Sequence, residues 1–266
     1  MPITCALFDV VDGNGMNNQV LYKSSGTANA ERLFVFFPGD ISDFPGAVSA
    51  DALTAGDPEL ARYDFTLDSI ARQISEHISP EDALVLFRPS RMMGHFSIYS
   101  NFVECDWLGL PDWEGHRRQE RNPGKLILEF LEDLRRQQAD NSLSDKTRLI
   151  LIGFSKGSIV ISSLLEDMNR ALFSRVEKII LIDPGLPRPG ILFPLHREKF
   201  SPFPKGIPIR IYASPYCRNE RVNEMMAFAN ESGARLQFIL TDHDVSLDTH
   251  FKAITVAIEQ EKKFDI

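Results

Sequence analysis

What this chain has little of narrows its possibilities first. It holds three cysteines, Cys5, Cys105 and Cys217, odd in number and widely separated. That spacing argues against a disulfide framework and points to a reducing, cytoplasmic setting. Positive charge is short as well: the formal net charge is -8, which disfavours nucleic acid or an anionic membrane surface as a general partner. No apolar run approaches the ~18 residues that span a bilayer, so no membrane span is expected. The start, MPITCALFDVVDGNG, lacks a basic n-region and carries Asp9 and Asp12, unlike a secretory signal or an Arg-rich transit peptide. Among six histidines and three cysteines there is no H-E-x-x-H or C-x-x-C spacing, so neither a metal nor a cofactor is expected. With 266 residues, 43% hydrophobic and 25% charged, the chain can bury a substantial core.

What is present centres on residues 146–169, KTRLILIGFSKGSIVISSLLEDMN. Residues 148–152 are apolar without alternation, the pattern of a strand buried on both faces of a parallel sheet. Gly153-Phe154-Ser155-Lys156-Gly157 follows, and then Ile159, Ile161, Leu164, Leu165 and Met168 recur at helical spacing. Strand, G-x-S-x-G, helix is the context of a nucleophile elbow. Ser155 must sit on a sharp turn that lifts its hydroxyl clear of the sheet, and Gly153 and Gly157 lack the Cβ atoms that would collide as the helix folds back. The helix N-terminus then offers N–H groups to a developing oxyanion. The pentapeptide alone is common by chance, so the weight lies in its flanks. A phosphate loop is excluded because G-x-x-x-x-G-K-[ST] is absent.

Around that centre the chain alternates. Residues 3–11 and 18–24 read as strands about the turn Asp12-Gly13-Asn14-Gly15, and 32–37 as a third strand ending in Pro38-Gly39-Asp40. Residues 65–78 predict an amphipathic helix, 83–87 a strand, and 125–138 another helix. Beyond the elbow come strands at 176–182, 207–213 and 236–240, with helices at 220–230 and 251–259. Alternation from residue 32 onward predicts a mostly parallel eight-stranded sheet, with antiparallel N-terminal strands and helices on both faces. No linker interrupts it, so a single domain of residues 1–266 is expected. Two stretches lack a regular period. Residues 88–124 are aromatic-rich (Phe96, Tyr99, Phe102, Trp107, Trp113), and residues 184–206 hold six prolines. Both suit a lid or rim.

A serine at neutral pH needs an adjacent base, itself oriented by an acid. In α/β-hydrolase sheets the order is Ser, Asp or Glu, His, with the histidine after the last strand. His250, just before the final helix, is the preferred base. His243 lies between Asp242 and Asp244 and reads as a solvated turn residue, with His196 a distant third. Asp183, directly after the strand 176–182, is the preferred acid, and Ile182-Asp183-Pro184-Gly185 resembles the L-D-P-A segment of pancreatic-type lipases, whose aspartate is the triad acid. Glu220 is the alternative, in the region most other such enzymes use. The backbone N–H groups of Asp40 and Lys156 are the candidate oxyanion donors. Arg88 and Arg91 read as surface charge or as partners of Asp40, in preference to holding an anionic acyl-carrier or phosphate group with Lys156.

Taken together, FFPGD (36–40), RPSRM with FSIYSNFV downstream (88–103), GFSKG (153–157), SPY (214–216) and HF (250–251) resemble, in order and spacing, a eukaryotic family of serine-hydrolase-like proteins. That family is typified by a human mitochondrial protein linked to oxidative phosphorylation deficiency. The resemblance implies an α/β-hydrolase-like fold and a Ser-acid-His site at Ser155 and His250 with Asp183 or Glu220. It implies no established substrate. The chain continues Pro184-Gly185 where family members carry Gly-Gly-His, so the resemblance does not choose the acid. The expectation is a serine hydrolase acting on a small-molecule acyl ester or thioester, its acyl group apolar if the aromatic stretch caps the pocket. The alternative is a non-catalytic protein of the same fold that binds a partner or ligand.

Overall fold

The computed structural model describes residues 5–24, 29–44, 64–107, 109, 122–138, 143–167, 169–184, 206–217, 226, 230, 235–238 and 245–264. The strands are β1 (Ala6–Val11), β2 (Asn17–Lys23), β3 (Arg32–Phe37), β4 (Ala83–Phe87), β5 (Arg91–Met93), β6 (Phe96–Ile98), β7 (Arg148–Phe154), β8 (Val176–Ile182), β9 (Ile209–Ala213) and β10 (Arg235–Phe238). The helices are α1 (Leu67–His77), α2 (Pro123–Gln137), α3 (Ser158–Asp167), the short α4 (Arg170–Phe173) and α5 (Leu247–Phe264). Eight strands make one sheet in the order β1-β2-β4-β3-β7-β8-β9-β10, and β5 pairs only with β6. β1 and β2 run antiparallel to their neighbours, and all pairs from β4 to β10 are parallel. The observed architecture is therefore the expected one, a mostly parallel eight-stranded α/β sheet with an antiparallel start.

The apolar runs read as doubly buried strands because successive side chains leave opposite faces. Leu33, Val35 and Phe37 of β3, with Leu149 and Leu151 of β7, meet α2, α3 and α4 through Ile127, Phe130, Val160 and Leu172. Phe34, Phe36, Ile150, Ile152 and Phe154 meet α1 and α5 through Leu67, Ile70, Ile254 and Ile258. Burying each such side chain contributes about 1.5–3 kcal/mol, whereas an exposed pair such as Arg72–Asp64 contributes about 0–1 kcal/mol. The two sheet faces hold the molecule together. Helix starts carry the polar residues that satisfy orphan N–H groups: Thr66 accepts from Ser69, and Asn122, ahead of Pro123, accepts from Lys125.

Four expectations need correction or placing. The stretch expected to be irregular from 88 contains the hairpin β5–β6, and Tyr99 and Phe102 beyond it lie in the core, 3% and 1% exposed, instead of capping a pocket. Trp107 is exposed, and Trp113 lies outside the described residues. The last helix begins at Leu247, earlier than expected, because Ser246 accepts from the Thr249 N–H and so starts it. Arg88 pairs with Asp43 at 2.7 Å, not with Asp40. Residues 185–205, with His196, and the expected acid alternative Glu220, with His243 and most of the helix 220–230, lie outside the described residues.

Candidate active site

β3, β7, β8 and β9 are neighbours and parallel, so their C-terminal ends share one rim of the sheet. Phe154, last in β7, stands opposite Ile182, last in β8. Ser155 and Asp183 therefore emerge side by side, about one strand spacing apart. Both have left-handed backbones, φ 48° at Ser155 and φ 40° at Asp183, so each chain turns sharply as it leaves the sheet. A short 3-10 turn, Ser155–Gly157, joins β7 to α3.

Steric demands explain the glycines. A Cβ at Gly153 would lie 2.8 Å from Ser158 Cα at the start of α3, as the motif predicts. A Cβ at Gly157 would lie 2.0 Å from the Phe37 carbonyl oxygen, so this glycine lets the turn press on the end of β3 instead of on its own strand. Gly39 matters in the same way: a Cβ there would sit 2.6 Å from Ser155 Cβ and 3.1 Å from Ser155 Oγ. The Pro38-Gly39-Asp40 loop thus lies directly against the serine side chain.

His250 sits in the first turn of α5, not in the loop before it, and is 5% exposed. Its Nδ1 lies 2.8 Å from Asp183 Oδ2. The imidazole packs against two aromatic rings, Phe154 and Tyr216, each 4.5 Å away between centroids. Asp183 is 1% exposed and fully engaged. Its Oδ1 accepts from the Ser214 N–H at 2.6 Å, and its Oδ2 also accepts from Ser214 Oγ. Ser214 escaped the sequence reading as a partner of the acid. Its signal was present, because it follows the apolar strand β9 just as Asp183 follows β8. Tyr216 is exposed, yet burial of its hydroxyl end and the nearby Asp183 push its phenol upward.

Asp40 and Lys156, chosen for their backbone amides, also meet through their side chains. Lys156 Nζ lies 3.5 Å from Asp40 Oδ1 and 5.3 Å from the centre of the Phe96 ring. Burial raises the Asp40 carboxyl above its usual range, opposed by Lys156 and by the Ser97 N–H that Oδ1 accepts. The structure pairs His250 with Asp183 and Lys156 with Asp40, and lays Gly39 against Ser155; it shows no hydrogen bond between Ser155 and His250. Among the described residues no cluster of His, Cys, Asp and Glu is arranged to hold a metal, and no helix is long and apolar enough to cross a membrane.

The fold is similar to that of solved serine hydrolases. Acylaminoacyl peptidase of Pyrococcus horikoshii superposes over 99% of this chain at 11% identity, TM-score 0.55, and the chain spans 41% of that protein's length. The esterase Est22 matches 98% of this chain and 81% of its own at 11% identity, TM-score 0.56. The carboxylesterase EstE1, cloned from a metagenomic library, matches 98% and 90% at 13% identity, TM-score 0.53. At such identities the likeness is one of fold. No curated protein matches the sequence. The family model C2orf69 does, over residues 6–135, a stretch that includes β1 to β6 and Asp40 and ends before β7. The sequence is thus similar to the C2orf69 family over just under half of its length, and its fold is that of α/β-hydrolases.

Proposed function

We propose that this protein is a serine hydrolase that cleaves an ester or thioester, with Ser155 as nucleophile, His250 as base and Asp183 as acid. The observation that carries this is the His250 Nδ1 to Asp183 Oδ2 contact of 2.8 Å, made beside a serine with φ 48°. Asp183, holding Nδ1, fixes the tautomer that leaves Nε2 as acceptor. Ser155 Oγ attacks the acyl carbon as Nε2 takes its proton. The tetrahedral oxyanion rests on the N–H groups of Asp40 and Lys156 and then collapses, expelling an alcohol or thiol that takes the proton back. Water repeats the sequence on the acyl-serine and restores the enzyme. The exposed Phe96, beside Lys156, and Tyr216, beside His250, support an apolar acyl group.

A fluorophosphonate probe tests the reading. Labelling of the wild type should vanish in Ser155→Ala, and folded protein that takes no label would favour a binding role over turnover. Asp183→Asn should lower kcat on the order of 10³ to 10⁴-fold on a p-nitrophenyl ester, while Glu220→Gln keeps it. The reverse pattern would transfer the acid role to Glu220.

A further inference from the structure

Four successive residues of the loop after β3 are gripped by the hairpin β5–β6 and the residue that follows it. The Tyr99 hydroxyl donates to the Pro38 carbonyl at 2.5 Å, and Ser97 Oγ donates to the Gly39 carbonyl at 2.7 Å. The Ser97 N–H donates to Asp40 Oδ1 at 2.6 Å, and the Ile41 N–H donates to the His95 carbonyl at 2.7 Å. Ser97 is 0% and Tyr99 3% exposed, so these bonds are shielded from water. Burial, with Asp40 and Asp43 nearby, holds the Tyr99 phenol well above its ordinary range, which keeps it a donor.

The Gly39 carbonyl and the Asp40 N–H belong to one peptide unit, and that unit is planar and stiff. A bond that pins its oxygen therefore aims its hydrogen. The same bond polarises the amide, making its N–H a stronger donor to negative charge on the far side. Tyr99 acts likewise on the Pro38–Gly39 peptide and its Gly39 N–H. From this arrangement, and resting on the hydrolase reading above, we infer that Ser97 and Tyr99 are positioning residues. Through the carbonyls of Gly39 and Pro38, they orient the oxyanion donors of the loop toward the acyl group on Ser155. Residues 95–99 of the stretch 88–124 thus act as a clamp on the floor of the site. Lys156, paired with Asp40, offsets the carboxylate charge that would otherwise oppose an oxyanion.

The test compares wild type with Ser97→Ala and Tyr99→Phe on p-nitrophenyl butyrate, with affinity for a trifluoromethyl ketone measured in parallel. Tyr99→Phe keeps the ring that packs edge-on against Phe37, so it retains its fold even if Ser97→Ala does not. Each variant should lose on the order of tenfold in kcat, less than deletion of an oxyanion donor, with KM within about twofold. Affinity for the ketone, which forms a tetrahedral adduct, should weaken by the same factor as kcat/KM. An active wild type with Tyr99→Phe unchanged in kcat and ketone affinity overturns the inference, even if its melting temperature falls. A wild type inert to both fluorophosphonate and ester overturns the hydrolase reading and this inference with it.

Discussion

At position 39 the lack of a Cβ is what lets the Pro38-Gly39-Asp40 loop lie against Ser155. The missing Cβ of Gly39 would fall 2.6 Å from Ser155 Cβ, a distance that real Cβ atoms do not reach, so Gly39→Ala must displace either the loop or the serine. A displacement of about 1 Å costs on the order of 10²-fold in rate. We expect Gly39→Ala to fold, with a loss of that size in fluorophosphonate labelling rate. A second expectation concerns Asp40, whose carboxyl is raised first by burial. Its folded pKa lies above its unfolded one, so between those values the folded state binds more protons, and stability from this group rises as pH falls. Relative to Asp40→Asn, the wild type should therefore gain melting temperature as pH is lowered through the carboxylate range. A difference that stays flat with pH would contradict it.

Among the elements, α5 does two jobs from its two ends. His250 lies in its first turn, and Glu261, about three turns on along the same face, is gripped by the sheet. Lys178 of β8 lies 2.6 Å from Glu261 Oε2, Arg210 of β9 lies 2.9 Å from Oε1, and the Tyr212 hydroxyl donates to Oε1. With Glu261 4% and Lys178 5% exposed, removing the shared anion takes a charged partner from both cations. Glu261→Gln should cost on the order of 3 kcal/mol in urea unfolding and also lower turnover, because the helix that seats His250 shifts. The strands were legible because their apolar runs are unbroken: Val176–Ile182 matches the reading residue for residue. The hairpin was not, since Arg91–Met93 and Phe96–Ile98 are too short to show a period. Nor was the true start of α5, where Ser246 stands in a run of Asp, Ser and Thr that reads as loop. Ser155, Asp183 and His250 stand out in the sequence because each reads as next to the end of an apolar strand or helix. Ser97, Tyr99 and Ser214 do not, because their partners are backbone atoms or residues brought close only by the sheet order.

For the molecule as a whole, the sheet order makes the chain indivisible at the point where the family match ends. Residues 6–135 supply β1 to β4, but β3 also pairs along Arg32–Phe37 with Arg148–Gly153 of β7. A fragment stopping at Arg135 would bare that inner edge and the apolar faces beside it, a template for aggregation. We expect it to fail to give dispersed amide resonances at any concentration where the full chain does. The whole rim also carries a tension of its own. A non-glycine residue in the left-handed region gives up about 1–2 kcal/mol, and the chain accepts that at 155 and again at 183 on adjoining strands. Breeding this protein for heat tolerance alone would therefore reward glycine at 155, and the hardiest descendants would be those that had lost the serine hydroxyl.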